Sequence, residues 1–410
     1  MHDARRVHAS ASDETAKGAG LPPVALFCAS PPSTDNLTTQ TLMNHLMPIL
    51  FSLLLLAGLG YVGWHIWTLL PFSPVGRWIA VGLALLAFLL LFLNLSPLLD
   101  RLPMPLAKAS YQVGSSTLFV LLYVLLAFVL LDVGRLVHLV PAGWLRSNGT
   151  VALALTLLLS AVFLYGNLHY KHKVRTELSL TTGKSLPRPT RLLMVSDLHL
   201  GYHNGRHELA RWVDLMNAAH PDLILIAGDI VDISTRPLEA EQMAEEWRRL
   251  EAPVYACLGN HEYYSGQERV LQFYRQAGIH LLRDSVAEVG NLCIVGRDDR
   301  SNPNRQPLST LMTQVDTSKY VLLLDHQPYH LEEAEQAGID FQFSGHTHRG
   351  QVWPASWVTD ALYECSFGSH RRGQTQYYVS SGLGIWGGKF RIGTQSEYVV
   401  ATLRSTAESR

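Results

Sequence analysis

Phe343-Ser344-Gly345-His346-Thr347-His348-Arg349-Gly350-Gln351 sets two imidazoles two residues apart, with one glycine before them and another after. That spacing can turn both rings toward one point, and neutral imidazole is the commonest metal ligand among the side chains. Alone, a His-x-His pair is equally compatible with a satisfied surface pair. The chain upstream separates the two readings. Asp197-Leu198-His199, Gly228-Asp229, Gly259-Asn260-His261-Glu262 and Asp325-His326-Gln327-Pro328 all stand at loop-like positions. Chance does not readily assemble five such pieces in one chain.

The segments between these pieces read as an alternating fold. Residues 190–197 form a short buried strand running into a loop, 208–220 have helical spacing, and Pro221-Asp222 breaks them. Residues 223–227 are a second strand, 238–250 a charged amphipathic helix, and 254–258 a third strand. Strand and helix in alternation imply parallel pairing with crossovers. Sites in open α/β sheets form outside the carboxyl ends of the strands, where Asp197, Asp229 and Asn260 stand. Further on, a hairpin about Gly290-Asn291, a strand over 320–324, a helix over 331–337 and closing strands over 377–380 and 397–403 complete a β-richer half.

The N-terminal part is of another kind. The chain is 48% hydrophobic and 16% charged, too apolar for an ordinary soluble enzyme, and the excess lies between about residues 46 and 168. Residues 46–70, 78–95, 117–131 and 150–168 are apolar runs, most of them near the roughly 20 residues a helix needs to cross a bilayer; the third reaches that length only with its flanks. Trp64, Trp67, Trp78, Trp144 and Tyr170 fall near run ends, as in an interfacial belt. Four spans put both termini on one side. Arg101, Lys108, Lys171, Lys173 and Arg175 on that side, against Arg77, Arg135 and Arg146 opposite, favour a cytoplasmic catalytic region in a multi-pass protein of the cell membrane. No run of intramembrane carboxylates or histidines points to an ion pathway, so the role expected of these helices is anchoring. Residues 1–45 read as a disordered segment, 46–170 as the transmembrane region, 171–189 as a basic polar linker, 190–404 as the catalytic domain and 405–410 as a tail. Arg5-Arg6 lies too far from the first apolar run for an export signal.

Carboxylate, amide and imidazole donors without thiolate suit Mn, Fe or Zn. The four cysteines show no paired spacing, and Cys257 and Cys293 sit in apolar runs as core thiols. Two Asp, one Asn and several His are too many for one ion. Two ions about 3.5–4 Å apart are the arrangement used for phosphoester hydrolysis, and Asp229 at the middle strand end is the natural bridging carboxylate.

In this order the motifs Asp-x-His, Gly-Asp, Gly-Asn-His-Glu, His and Gly-His-x-His resemble those of the calcineurin-like metallophosphoesterases, over about residues 190–404. Gly345-His-Thr-His-Arg-Gly-Gln-Val-Trp-Pro354 and Tyr378-Val-Ser-Ser-Gly-Leu-Gly384 look most like the membrane-associated bacterial branch. The resemblance implies an α/β fold, a four-layer α-β-β-α sandwich, here preceded by a bundle of four transmembrane helices. It implies two divalent metal ions (Mn, Fe or Zn), the first held by Asp197, His199, Asp229 and His348, the second by Asp229, Asn260, His326 and His346. His261 would be the catalytic histidine, helping the leaving oxygen while a metal-bridging hydroxide attacks phosphorus.

Asp325 and Glu262 adjoin proposed site histidines and are expected to orient them. His203 and His207 are expected on a solvated loop, and Arg349 could meet a phosphate. The activity implied is hydrolysis of phosphomonoester, phosphodiester or pyrophosphate bonds, with a lipid-linked substrate as one option. The alternatives are a cyclic-nucleotide or nucleic-acid phosphodiesterase and a non-enzymatic membrane scaffold with a metal-binding domain. A net charge of -1 argues against long nucleic acids.

Overall fold

The computed structural model describes residues 37–406, with side chains from residue 53 onward. All contacts below lie within Gly58–Arg410, one compact unit. Four helices come first: α1 (Leu37–Leu69), α2 (Pro74–Asn94), α3 (Met104–Leu136) and α4 (Gly149–Lys171). The last three are long and apolar enough to cross a membrane, and only 6%, 17% and 11% of their most apolar windows are buried. Faces that apolar and that uncovered suit lipid as solvent. The first expected run falls partly outside the described side chains; its described part, Leu53–Leu69, is shorter. The third run, expected to need its flanks, belongs to a continuous helix of 33 residues, so Lys108 is helical rather than in a loop. The expected disorder of 1–45 lies outside the described residues up to position 36, and helix α1 already covers 37–45. Of the expected tail, positions 407–410 lie outside them too.

One feature of the bundle departs from the sequence reading. His65, buried at 1% exposure, stacks on Phe128 and lies 2.9 Å from Asp132, which also accepts from Tyr61 (2.7 Å) and pairs with Arg135 (2.9 Å). Asp132 stands 67 positions from His65 and 71 from Tyr61, so no local run reveals the cluster. Mutual pairing is what makes such groups tolerable among apolar helices.

Twelve strands follow: β1 (Lys173–Thr182), β2 (Thr190–Val195), β3 (Leu223–Ala227), β4 (Val254–Cys257), β5 (Ile279–Leu281), β6 (Ser285–Val289), β7 (Leu292–Gly296), β8 (Tyr320–Leu324), β9 (Phe341–Ser344), β10 (Gly368–Arg372), β11 (Thr375–Val379) and β12 (Ser396–Ser405). They form two six-stranded sheets, ordered β1-β12-β2-β3-β4-β5 and β10-β11-β9-β8-β7-β6. Helices α5 (Arg206–Asn217), α6 (Arg236–Ala240), α7 (Met243–Trp247), α8 (Asn260–Tyr264) and α9 (Gln267–Ala277) cross between strands of the first sheet. Helices α10 (Leu308–Met312), α11 (Leu331–Gln336) and α12 (Ala355–Leu362) accompany the second.

The layering follows from strands that are apolar on both faces. Successive strand residues point to opposite sides. Leu193, Val195, Ile224 and Ile226 therefore pack outward against Trp212, Met216, Trp247 and Phe273 of the helices. Leu192, Met194, Leu223 and Leu225 pack inward against Ile294, Leu322, Phe341 and Phe343 of the second sheet. That sheet's other face, with Val321 and Leu323, meets Leu311, Leu331 and Ala334. Helix, sheet, sheet, helix is the four-layer sandwich expected.

The expected 238–250 helix is broken into α6 and α7, because Gln242 between them is left-handed (φ 53°). The expected linker over 171–189 is largely a strand. Only His172 separates α4 from β1, and β1 pairs in parallel with β12 from Lys173↔Ser396 to Thr182↔Ser405. A polar, alternating sequence hid an edge strand whose one buried face carries Leu180. Replacing Leu180 with Ala should cost about 2–5 kcal/mol of stability, read by thermal unfolding of the full chain in detergent. Wild-type unfolding would remove β1 from the catalytic core.

Candidate metal site

The five motif pieces stand at the carboxyl ends of five strands. Asp197 and His199 follow β2, Asp229 follows β3, Asn260 and His261 follow β4, His326 follows β8, and His346 and His348 follow β9. The loops are stitched to one another across the two sheets. Asp197 N donates to Gly228 O (3.1 Å), His199 N to Asp229 O (3.0 Å), Gly345 N to His326 O (2.9 Å) and Gly384 N to Asp197 O (3.0 Å). Both carboxylate oxygens of Asp197 accept from His346 N, at 3.0 and 3.1 Å.

This close approach puts unusual demands on the backbone. Asp197 (φ 55°), His199 (46°), Asp229 (52°), His346 (71°) and His348 (48°) all lie in the left-handed region, which costs non-glycine residues roughly 1–2 kcal/mol each. Gly259 supplies the complementary gap, since a Cβ there would sit 2.6 Å from Asp229 N and 2.8 Å from Asp229 Cγ. Strain concentrated on five of the seven proposed ligands is a functional signature that the sequence cannot display.

The side chains gather in two adjoining groups. In the first, His199 Nε2 and His348 Nε2 are 3.1 Å apart. Asp197 Oδ1 lies 3.9 and 3.5 Å from them, and Asp229 Oδ2 lies 3.6 Å from His199 Nε2. In the second, Asn260 Oδ1 lies 3.1 Å from His326 Nε2 and 2.9 Å from His346 Nδ1. Asp229 Oδ2 is 3.2 Å from His326 Nε2, so one oxygen belongs to both groups. Asp229 Oδ1 is engaged separately, accepting from His261 N at 2.9 Å.

These donors fit a divalent cation. His326 Nδ1 sits 2.7 Å from Ala227 O, a contact that places a proton on Nδ1 and leaves a lone pair on Nε2. That lone pair faces Asn260 Oδ1 and Asp229 Oδ2, both acceptors. Ligands about 2.0–2.2 Å from a common ion stand about 3–3.5 Å from one another, close to the separations found. Without a cation a second proton takes its place: burial opposes charge on His326, but the Asp229 carboxylate holds its pKa well above the ordinary value. Burial pushes His346 down to about 3 and His348 well below its usual range. Both are therefore neutral, the ligating form.

Asp232 is the residue sequence reasoning missed. Its Oδ1 lies 3.4 Å from His199 Nδ1 and 3.1 Å from His261 Nδ1, facing the Nδ1 side of both rings. Burial works against its charge, yet the adjoining His199 and His261 rings hold its pKa well below the ordinary value. Its other oxygen accepts from Tyr111 of α3, which joins a membrane helix to the site. The only available signal was a third carboxylate three positions after Asp229. Arg391 was missed too. Fully buried, and pushed down by burial to about 10, it donates to the carbonyls of His348 (2.8 Å) and Gly384 (3.0 Å) and fixes the His-x-His loop.

Two expected roles are corrected. Asp325 does not orient a histidine; it faces Arg297 (3.2 Å) and Arg305 (2.5 Å), tying down the 297–307 loop. Glu262 accepts instead from the backbone N–H groups of Asp229 (3.0 Å), Val231 (2.9 Å) and Gly259 (2.7 Å) and holds two ligand loops together. Of the two upstream histidines, His207 is exposed as expected, but His203 is buried against Tyr111 rather than solvated. Arg349 lies over the Phe367 ring at 4.7 Å and has no acidic partner among the described residues.

Residues 190–350 match the family model for the calcineurin-like phosphoesterases. An uncharacterized metallophosphoesterase of Aquifex aeolicus is 31% identical, over 56% of this chain and 92% of its own. An uncharacterized metallophosphoesterase of Campylobacter jejuni is 30% identical over 54% of this chain, which spans 60% of that protein. A zebrafish protein (Danio rerio) named as a transmembrane protein with metallophosphoesterase domain is 30% identical over 52% of this chain and 53% of its own. With the sandwich, the strand-end site and these relatives in agreement, the chain belongs to the calcineurin-like metallophosphoesterase family.

Proposed function

We propose that this chain is a membrane-anchored phosphoesterase working with two divalent ions. Asp197, His199, Asp229 and His348 would hold one and Asp229, Asn260, His326 and His346 the other. The observation that carries the reading is the convergence of acceptor atoms from five strand ends on two adjoining points that share Asp229 Oδ2. Divalent ions there would supply Lewis acidity to a phosphoryl oxygen and bring the pKa of a water toward neutrality.

The chain's own groups divide the remaining work. His261 Nδ1 lies 3.1 Å from Asp232 Oδ1, which leaves Nε2 as the nitrogen for a leaving group, and its ring meets Tyr264 edge-on at 5.3 Å. Burial opposes its charge, but Asp229 and Asp232 lift its pKa to about 9 in the metal-free chain. In its protonated form it would give a proton to the leaving oxygen. Asp232 keeps that proton on the correct nitrogen, and Tyr111 holds Asp232. Intact ligands and a poised acid favour the enzyme over a non-enzymatic scaffold. Arg101, Lys108, Lys171, Lys173 and Arg175 on the catalytic side of the bundle, against Arg77, Arg135 and Arg146 at the other, favour a catalytic domain in the cytoplasm, with α1 as a fourth span.

Full-length protein in detergent with manganese should hydrolyse bis-p-nitrophenyl phosphate, and Asp229→Asn should fall to the buffer rate. His261→Gln should lose about 10²–10⁴-fold in kcat with bound metal unchanged; equal rates would remove His261 from the chemistry. Asp232→Asn should lower kcat/KM about 10–100-fold, and Tyr111→Phe less, both without loss of the fold by circular dichroism. Manganese at a hundredfold excess over its Kd should stabilise the folded chain by about 2.7 kcal/mol, read as a rise in Tm that Asp229→Asn abolishes.

A further inference from the structure

Helix α12 follows the His-x-His loop and wears its apolar side outward. Trp353 just before it, and Trp357, Val358 and Leu362 on it, are 43%, 64%, 59% and 52% exposed. Within the helix, Trp357, Val358 and Leu362 fall inside about 140° of one another at 100° per residue, and Trp353 lies just before its first turn. Of its polar side chains, Ser356 is buried, Thr359 is half-buried and donates to Ser356 O at 2.9 Å, and the exposed Asp360 is engaged as an acceptor from Ser366 Oγ. A helix facing water shows the reverse arrangement, and a contiguous exposed apolar face marks a binding surface.

The neighbours of α12 identify what covers it. Tyr123 of α3 donates to the carbonyl of Trp353 at 2.6 Å. Phe163 of α4 packs edge-on against Tyr123 (5.4 Å) and Phe390 (4.8 Å), and Phe119 of α3 meets Phe390 at 6.5 Å. Arg391 N donates to Gly166 O of α4 at 2.9 Å, where a Cβ on Gly166 would come within 2.8 Å of Ile392. Tyr123 lies six residues inside the apolar run that opens at Thr117, roughly 9 Å along the helix. The outward face of α12 is therefore continuous with the faces of α3 and α4 that acyl chains would cover. Trp353 and Trp357, 5.3 Å apart at 82°, are the residue type that collects at the headgroup level.

We infer that α12 lies in the membrane interface, with Trp353, Trp357, Val358 and Leu362 at the headgroup–acyl boundary, and that the site takes phosphoesters borne on membrane amphiphiles. The substrate half rests on the phosphoesterase reading above. The geometry ties this helix to the site at both ends. His348 lies five residues before Trp353, and Tyr363, just past Leu362, brings its ring 6.4 Å from that of His346. Arg349, unpaired among the described residues, stands between the ligands and α12 and is available to an anionic headgroup. A helix seated this way binds through buried apolar area and attraction to anionic lipid.

The test uses the full chain in vesicles of phosphatidylcholine and phosphatidylglycerol. A spin label at Trp357→Cys, on a Cys28→Ser background that leaves the three buried cysteines in place, should be more accessible to oxygen than to an aqueous nickel chelate. Hexadecyl p-nitrophenyl phosphate in the same vesicles should be hydrolysed with a kcat/KM at least about tenfold above that for soluble bis-p-nitrophenyl phosphate. Trp357→Glu combined with Val358→Glu should erase that preference while the soluble rate stays within about twofold. A label that reports water, or a wild-type chain without the preference, overturns the inference. No turnover of either ester overturns the phosphoesterase reading, and the depth of the label then decides the surface alone.

Discussion

Three carboxylates sealed together set the terms for this molecule. Asp197, Asp229 and Asp232 are 0%, 2% and 1% exposed. Histidines are their ion-pair partners among the described residues, with no lysine or arginine within 4.0 Å of the three. Burying charge without compensation is prohibitively costly. The site therefore calls for positive charge, as protons on His326 and His261 or as metal ions. The rest of the catalytic domain serves that requirement. Two sheets deliver five strand ends to one crest, left-handed residues turn the side chains inward, and Glu262 and Arg391 hold the loops in place through backbone groups.

Membrane attachment is part of the same arrangement. The sequence suggested a bundle joined to the enzyme by a linker, yet α4 passes into β1 across a single residue. Tyr170 of α4 donates to Asn204 (3.0 Å) and Glu208 (2.9 Å), and Lys108 of α3 pairs with Glu241. Tyr111 of α3 reaches the carboxylate that orients two site histidines. Anchor and site are thus rigidly coupled, so the depth at which the helices sit also fixes the height of the site above the lipid.

Much of this was legible in the residues because the chemistry is carried by short motifs at strand ends. The alternation of strand and helix, the hairpin about Gly290 and the seven proposed ligands all appear as local patterns. What escaped was non-local. Asp232 looks like an ordinary loop carboxylate until Tyr111, 121 positions away, and two histidines close on it. Asp325 looks like a partner for the adjacent His326, but the strand's alternation sends it toward Arg297 and Arg305. β1 escaped because an edge strand with one buried face is hardly more apolar than a linker. The exposed apolar face of α12 depends on which side of an eight-residue helix meets the core, and composition does not decide that.

The most direct test is anomalous diffraction from crystals of the full chain grown with manganese. The account predicts two peaks about 3.5–4 Å apart, one among Asp197, His199 and His348, the other among Asn260, His326 and His346, with Asp229 between them. A single peak, or peaks away from Asp229, would contradict it.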